Sequence, residues 1–173
     1  MMQTRIRRFL RSFAIISCSC TIPLAASATQ PSVTVAPPDL HGSRPVETRT
    51  KQAVVRDYLQ SWQSLRQALA HNQPQLLNQD FTGTARKVLG TTVAEQRSLG
   101  IHTIYRDRSH HLRIVFYSPD GLALQMIDHV DYVERIYSHG KLLATRNLSA
   151  HYLVVLTPAA TRWQVRIFQQ TAE

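Results

Sequence analysis

The chain has 173 residues, 43% of them hydrophobic, and a formal net charge of +9, and a chain of this size buries roughly two-thirds of its surface in one core. Its basic residues are scattered, the longest run in the body of the chain being Arg86-Lys87; without a concentrated basic stripe carrying interleaved aromatics, nucleic acid is not an expected partner. Six glycines in all, and no Gly-x-Ser-x-Gly elbow, phosphate-cradling loop or dinucleotide fingerprint, leave no cofactor to expect.

The first 28 residues read as a secretory leader. Arg5, Arg7, Arg8 and Arg11 precede a mostly apolar run from Phe13 to Leu24, and Ala26-Ser27-Ala28 fits cleavage before Thr29. Ile15-Ile16-Ser17-Cys18 also looks like a bacterial lipobox, which would attach the protein to a membrane through Cys18. Cleavage near Ala28 makes the protein periplasmic or extracellular and removes both cysteines, Cys18 and Cys20, so no disulfide or thiolate is expected in the mature chain. The leader holds four of the 20 Lys and Arg and no acid, so the mature balance is 16 − 11 = +5.

Residues 29–46, with Pro31, Pro37, Pro38 and Pro45, read as an extended linker. The domain itself is expected over 47–173. Val55, Leu59, Trp62, Leu65 and Leu69 form one apolar stripe at helical spacing, widened by Val54 and Tyr58 and stopped at Asn72 and Pro74. A short turn over Leu76–Phe81 follows. A second helix over Thr84–Leu99 directs Ala85, Leu89, Val93 and Leu99 inward and ends at Gly100.

From Ile101 onward the pattern is of strands, expected near His102–Arg108, His111–Ser118, Leu122–Ser138, Leu142–Thr157 and Trp163–Gln170. Turns fall at Pro119-Asp120-Gly121, His139-Gly140-Lys141 and Pro158–Thr161. The apolar parity of the third strand jumps at Ile127, which suggests a bulge there. Helices first and a meander afterwards give an α+β domain, its helices packed on a curved antiparallel sheet of about five strands.

The long opening helix Val54–Leu69, the turn Leu76–Phe81, the helix Thr84–Leu99, the meander with its long central hairpin and the aromatic-led strand Trp163–Phe168 together resemble the nuclear transport factor 2-like superfamily, also called SnoaL-like or cystatin-like. The resemblance covers about residues 50–170 and is greatest to exported bacterial members. It implies a half-cone whose interior, in the enzymes of the superfamily, carries acid and base residues. It also implies pairing through the open sheet face, so a homodimer is expected. The superfamily includes isomerases, dehydratases and non-catalytic binding proteins, so fold leaves function open.

Within that frame Asp128-His129-Val130-Asp131-Tyr132 is the main candidate cluster. Alternation places Asp128, Val130 and Tyr132 on one face of the strand and His129 and Asp131 on the other. Asp128 or Asp131 as base and Tyr105 or Tyr132 as hydroxyl donor would suit proton transfer beside a carbonyl. Equally, acids and histidines decorate any half-exposed strand. Tyr117, Tyr152, His102, His151 and Trp62 are candidate ligand-lining residues, although strand tyrosines commonly bury the ring and wet the tip. The pair His110-His111 is expected in a hairpin loop at Arg108–His110. Adjacent strand residues face opposite ways, and no metal site is expected.

Two functions follow: a non-catalytic module binding a small apolar ligand or a protein partner, and a small isomerase or dehydratase. A cone filled by Trp62, Phe116 and Trp163 would favour the module.

Overall fold

In the computed structural model, which describes residues 30–40 and 44–171, two helices pack on one face of a five-stranded open sheet. The expected leader and the lipobox at Cys18 lie outside the described residues. The elements in chain order are β1 (Ser32–Val35), α1 (Thr48–His71), a 3-10 turn (Pro74–Leu77), α2 (Gly83–Ser98), β2 (Ile101–Tyr117), β3 (Leu124–Ser138), β4 (Lys141–Pro158) and β5 (Trp163–Thr171). The strands lie side by side in sequence order.

Three local expectations need correction. The two short strands expected either side of Arg108 are one continuous strand, β2, and no hairpin interrupts it. The fifth strand is instead β1, drawn from the segment read as a linker. It pairs parallel with β2 from Ser32↔Ser109 to Val35↔Leu112, which makes the sheet mixed rather than wholly antiparallel. Backbone bonds from Ala36 N to the Leu112 carbonyl (2.9 Å) and from Asp39 N to the Ile114 carbonyl (3.0 Å) continue the attachment past the strand's end. The third correction is in β3, where no bulge lies at Ile127. Leu124, Met126, Asp128, Val130 and Tyr132 alternate inward without interruption, and Ile127 is an outward apolar residue opposite Leu153.

Register shifts fall at Asp107/Ser109 and Ile114/Phe116 in β2, at Ile136/Tyr137 between β3 and β4, and at Val155/Leu156 between β4 and β5. Each inserts an unpaired residue and sharpens the local twist, and together they curl the sheet around the helices. The turns sit where the sequence places them. His139 and Gly140 both take positive φ, 47° and 77°, which matches the twist of a tight hairpin.

Helix α1 is the lid of the half-cone. Its buried side, centred on Val54, Tyr58, Ser61, Leu65 and Ala68 with Trp62 and Leu69, is rotated from the expected stripe, and Val55 and Leu59 lie at its edge. Asn72 closes the helix in the left-handed conformation (φ 53°), and its side-chain amide donates to the Ile101 carbonyl at 2.7 Å. In α2, Ala85 and Val93 face inward as expected, whereas Leu99, 69% exposed, does not; it falls after the last helical turn. Two buried carboxylates join the helical layer to the far end of the sheet. Asp57 accepts from the Trp163 backbone N–H at 2.8 Å, and Asp80 accepts from Ser64 (2.5 Å) and Arg162 (2.8 Å).

Candidate functional site

Trp62 stands at the centre of the cone with aromatic rings on several sides. Ring centroids lie at 5.2 Å to His110, 5.6 Å to Phe168, 5.7 Å to Tyr152 and 6.1 Å to Tyr132. Behind it Tyr152 stacks on Phe168 at 4.5 Å, and Phe81 meets the edge of Phe168 at 6.2 Å. Offset and edge-on contacts of this kind add to the area each ring buries. They also fill the space that a ligand inside the cone would need.

A chain of polar groups runs through this apolar packing. Tyr58, Trp62 and Arg66 recur every four residues and so share one side of α1. The Trp62 indole N–H donates to the Tyr58 hydroxyl at 2.7 Å, and that hydroxyl donates to Asp128 Oδ2 at 2.7 Å. His110 Nδ1 meets the same Oδ2 at 2.8 Å. On its other side His110 Nε2 lies 3.8 Å from Asp107 Oδ2, a charge contact too long for a hydrogen bond. Arg66 Nη1 donates to that Asp107 oxygen at 2.7 Å. Two carboxylates therefore face two cations along a line from the protein's interior to its surface.

One extra residue makes this possible. In an unbroken strand Asp107 and His110, three apart, would point to opposite faces. The register shift between Asp107 and Ser109 absorbs Arg108 and changes the parity. Before it Thr103, Tyr105 and Asp107 turn inward; after it His110, Leu112 and Ile114 do.

Burial alone would push the His110 imidazole towards the neutral form, but the carboxylates of Asp107 and Asp128 outweigh it and raise the pKa to about 9. Burial, followed by the charge of Asp128, pushes the Tyr58 hydroxyl well above its ordinary value, so it remains a donor. Breaking such a buried ion pair by removing one partner costs about 3–5 kcal/mol, because the survivor is left charged and unpaired. Asp128 Oδ1 and Asp107 Oδ1 are buried without a hydrogen-bond partner.

The sequence candidates fall in four places. Asp128, Tyr132, Tyr105, Tyr152 and Trp62 come together inside the cone; the Tyr105 and Tyr132 rings are 4.9 Å apart, and the Tyr132 and Tyr152 hydroxyls 3.4 Å. Burial first, then their phenol neighbours, push Tyr105 and Tyr152 above the ordinary tyrosine range. Asp131 and His151 are on the outer face. Asp131 accepts from Ser109 at 2.8 Å, and hydrogen bonds from Ser109 and Ser149 hold it below the usual carboxylate range. His102 stacks on Tyr137 at 5.1 Å. Tyr117 lies at the opposite end of the sheet, against Trp163 and under the Arg44 guanidinium. Phe116 is only half-buried, so the filling of the cone falls to Trp62 with Tyr152 and Phe168.

Sequence reasoning missed His110, Asp107, Tyr58 and Arg66. Among the described residues no group of histidine, cysteine and acidic side chains is arranged to hold a metal ion. The network is reached from outside at its Asp107–His110 end, where a cleft of about 370 Å³ opens between Pro31 and Val33, α1 and β2. Asp128 has no exposed surface. A carboxylate so placed can act as a structural counter-ion; to act as a base it would first have to be uncovered.

No protein-family model and no curated protein matches the chain. Among solved structures it is similar to the intermembrane space region of the chloroplast protein ARC6, with a TM-score of 0.61 and 16% identity over 75% of this chain and 100% of that one. A putative scytalone dehydratase from Novosphingobium aromaticivorans DSM 12444 gives a TM-score of 0.49, 13% identity, and 73% and 89% coverage. A protein from Catenulispora acidiphila gives 0.49, 12%, and 71% and 94%. The likeness to ARC6 is one of fold alone. With its two helices on a curled, open five-stranded sheet, the chain has the α+β half-cone architecture expected from its sequence.

The charged His110 has a consequence for stability. Its folded pKa of about 9 lies above the ordinary value of about 6.5. The stabilisation is therefore complete below about pH 6.5 and is lost as pH rises through 9, amounting to about 3 kcal/mol. Urea unfolding between pH 6 and pH 9.5 is expected to show that decline, and His110→Gln to remove it. Should the variant not fold, an NMR titration of the His110 ring in the unaltered protein decides. A midpoint near 9 is expected; one at 6.5 or below would overturn the assignment.

Proposed function

We propose that the protein is an exported, non-catalytic module that binds a protein partner through the uncovered outer face of its sheet. The filled cone carries this reading. Trp62, Tyr152 and Phe168 occupy the place where enzymes of this fold would hold substrate, and the polar groups there are engaged with one another. The same packing weighs against a small apolar ligand held in the cone. No described helix covers the outer face. There Ile127 pairs with Leu153 and Val155 with Ile167 across neighbouring strands, forming an apolar strip beside the row His111, His129 and His151. A second copy of the chain is a poorer fit, because Arg106, Arg108 and Arg135 on this face have no carboxylate within ion-pair distance among the described residues, and two such surfaces would repel.

The alternative is a small isomerase or dehydratase using Asp128 as base. One observation favours it: the Tyr58–Asp128–His110 constellation lies inside the cone. It requires Trp62 to move aside before any substrate reaches Asp128.

A photo-reactive residue placed at Leu153, with a control at Gln60 on the exposed side of α1, separates the possibilities in the native host. Crosslinking of Leu153, and not Gln60, to a different polypeptide is the expected outcome. Adducts of only twice the chain's mass would replace the partner with a second copy, and no adduct from Leu153 would contradict the module. Export is checked separately by N-terminal sequencing of the protein from that host. A start at Thr29 is expected; a lipid-modified start at Cys18 would mean a membrane-anchored form, and an intact Met1 would contradict export.

A further inference from the structure

The outer face is not evenly charged. Over the β2 bulge a cleft of about 530 Å³ is lined by Arg106, Arg108 and Arg135, with Thr145 and Asn147 from β4 at its side and Val133 at its floor. Val133 is only 9% exposed although it faces outward. Arg108, the residue displaced by the bulge, donates to Asn147 Oδ1 at 3.0 Å, which leaves the Asn147 amide N–H groups to serve a ligand. Arg106 sits opposite Val133, and Ile104 opposite Arg135, so the two arginines are diagonal neighbours on one face.

None of these three guanidinium groups has a carboxylate within ion-pair distance among the described residues, whereas Arg66, Arg113, Arg146 and Arg162 each have one. The one acid lining the cleft, Asp107, is already bound to Arg66. Like charges on adjacent strands are destabilising. Here they converge on a concave surface whose polar atoms are chiefly donors.

We infer that this cleft docks an extended acidic segment of the partner protein, its carboxylates paired with Arg106, Arg108 and Arg135. The inference rests on the binding-module reading and specifies its partner. Diagonal positions on neighbouring strands lie about 7–8 Å apart, close to the separation of about 6.5–7 Å between alternate side chains of an extended peptide. Arginine forks meet carboxylates in two-point hydrogen bonds. A single phosphate group is more commonly seated on the clustered backbone N–H groups of a helix N-terminus, and only strands line this cleft apart from Gln30 just before β1.

The test uses a fluorescein-labelled peptide of alternating Glu and Thr, titrated into the purified protein by anisotropy at low salt. A matched peptide with Gln for Glu serves as control. The expected result is binding of the Glu peptide alone, weakened about tenfold or more in the double variant Arg106→Gln/Arg135→Gln, which is the effect of losing one or two charge-assisted bonds. Both arginines are exposed, so the variant's thermal midpoint is expected to stay unchanged. Inorganic phosphate at millimolar concentration is expected not to displace the peptide. The inference is overturned if the Glu peptide does not bind, if its affinity survives the double variant, or if phosphate or anionic vesicles displace it equally well. A partner crosslink from Leu153 with peptide affinity unchanged in the double variant would remove this cleft and leave the module, while no crosslink and no binding of the Glu peptide would remove both.

Discussion

Placing Asp107 and His110 on the same side of one strand requires an odd number of residues to be taken up between them, and Arg108 is that residue. The inward turn of His110 supplies the cation that lets Asp128 be fully buried among aromatic rings. A carboxylate at that depth without a partner would cost several kcal/mol. With His110 on one side and Tyr58 on the other, it instead fixes α1 against the centre of the sheet. The same displacement turns Arg108 outward, into the basic cleft. One irregularity in β2 thus shapes both the interior of the cone and the chemistry of its back.

Charge and packing support one another in this interior. Asp107 and Asp128 are matched by Arg66 and His110, so the line of ionised groups is neutral as a whole, and Arg66 at its outer end remains partly solvated. Trp62 is bound into the line by its N–H and into the core by its rings. To open the cone for a substrate, Trp62 would have to give up both kinds of contact together. That coupling, rather than the mere presence of an acid, a histidine and a tyrosine, is what supports the structural reading of the cluster.

Much of this fold was legible in the sequence because its elements carry clean periodicities. The stripe on α1, the turns at Gly121 and His139-Gly140, and the inward set Asp128, Val130 and Tyr132 all follow from spacing. The region from Arg106 to His111 did not yield to the same reasoning. A polar run in the middle of a chain looks like a loop, yet here two of its members are buried by charge pairing, a long-range effect that local pattern does not contain. The one local signal is the change from odd inward residues, Thr103 and Tyr105, to even ones, Leu112 and Ile114, which marks a bulge within one strand. The pairing of β1 was hidden for a related reason: an edge strand between prolines, exposed on most of its length, has no apolar alternation to reveal it.

Whether Trp62 and its neighbours fill the cone and keep Asp128 covered can be seen in a high-resolution crystal structure of the protein purified from its native host. Continuous density for Trp62, Tyr152 and Phe168 in mutual contact, with Asp128 bonded to Tyr58 and His110 alone, is expected. Density for a bound molecule touching Asp128, with Trp62 displaced from the rings around it, would rule out a filled cone.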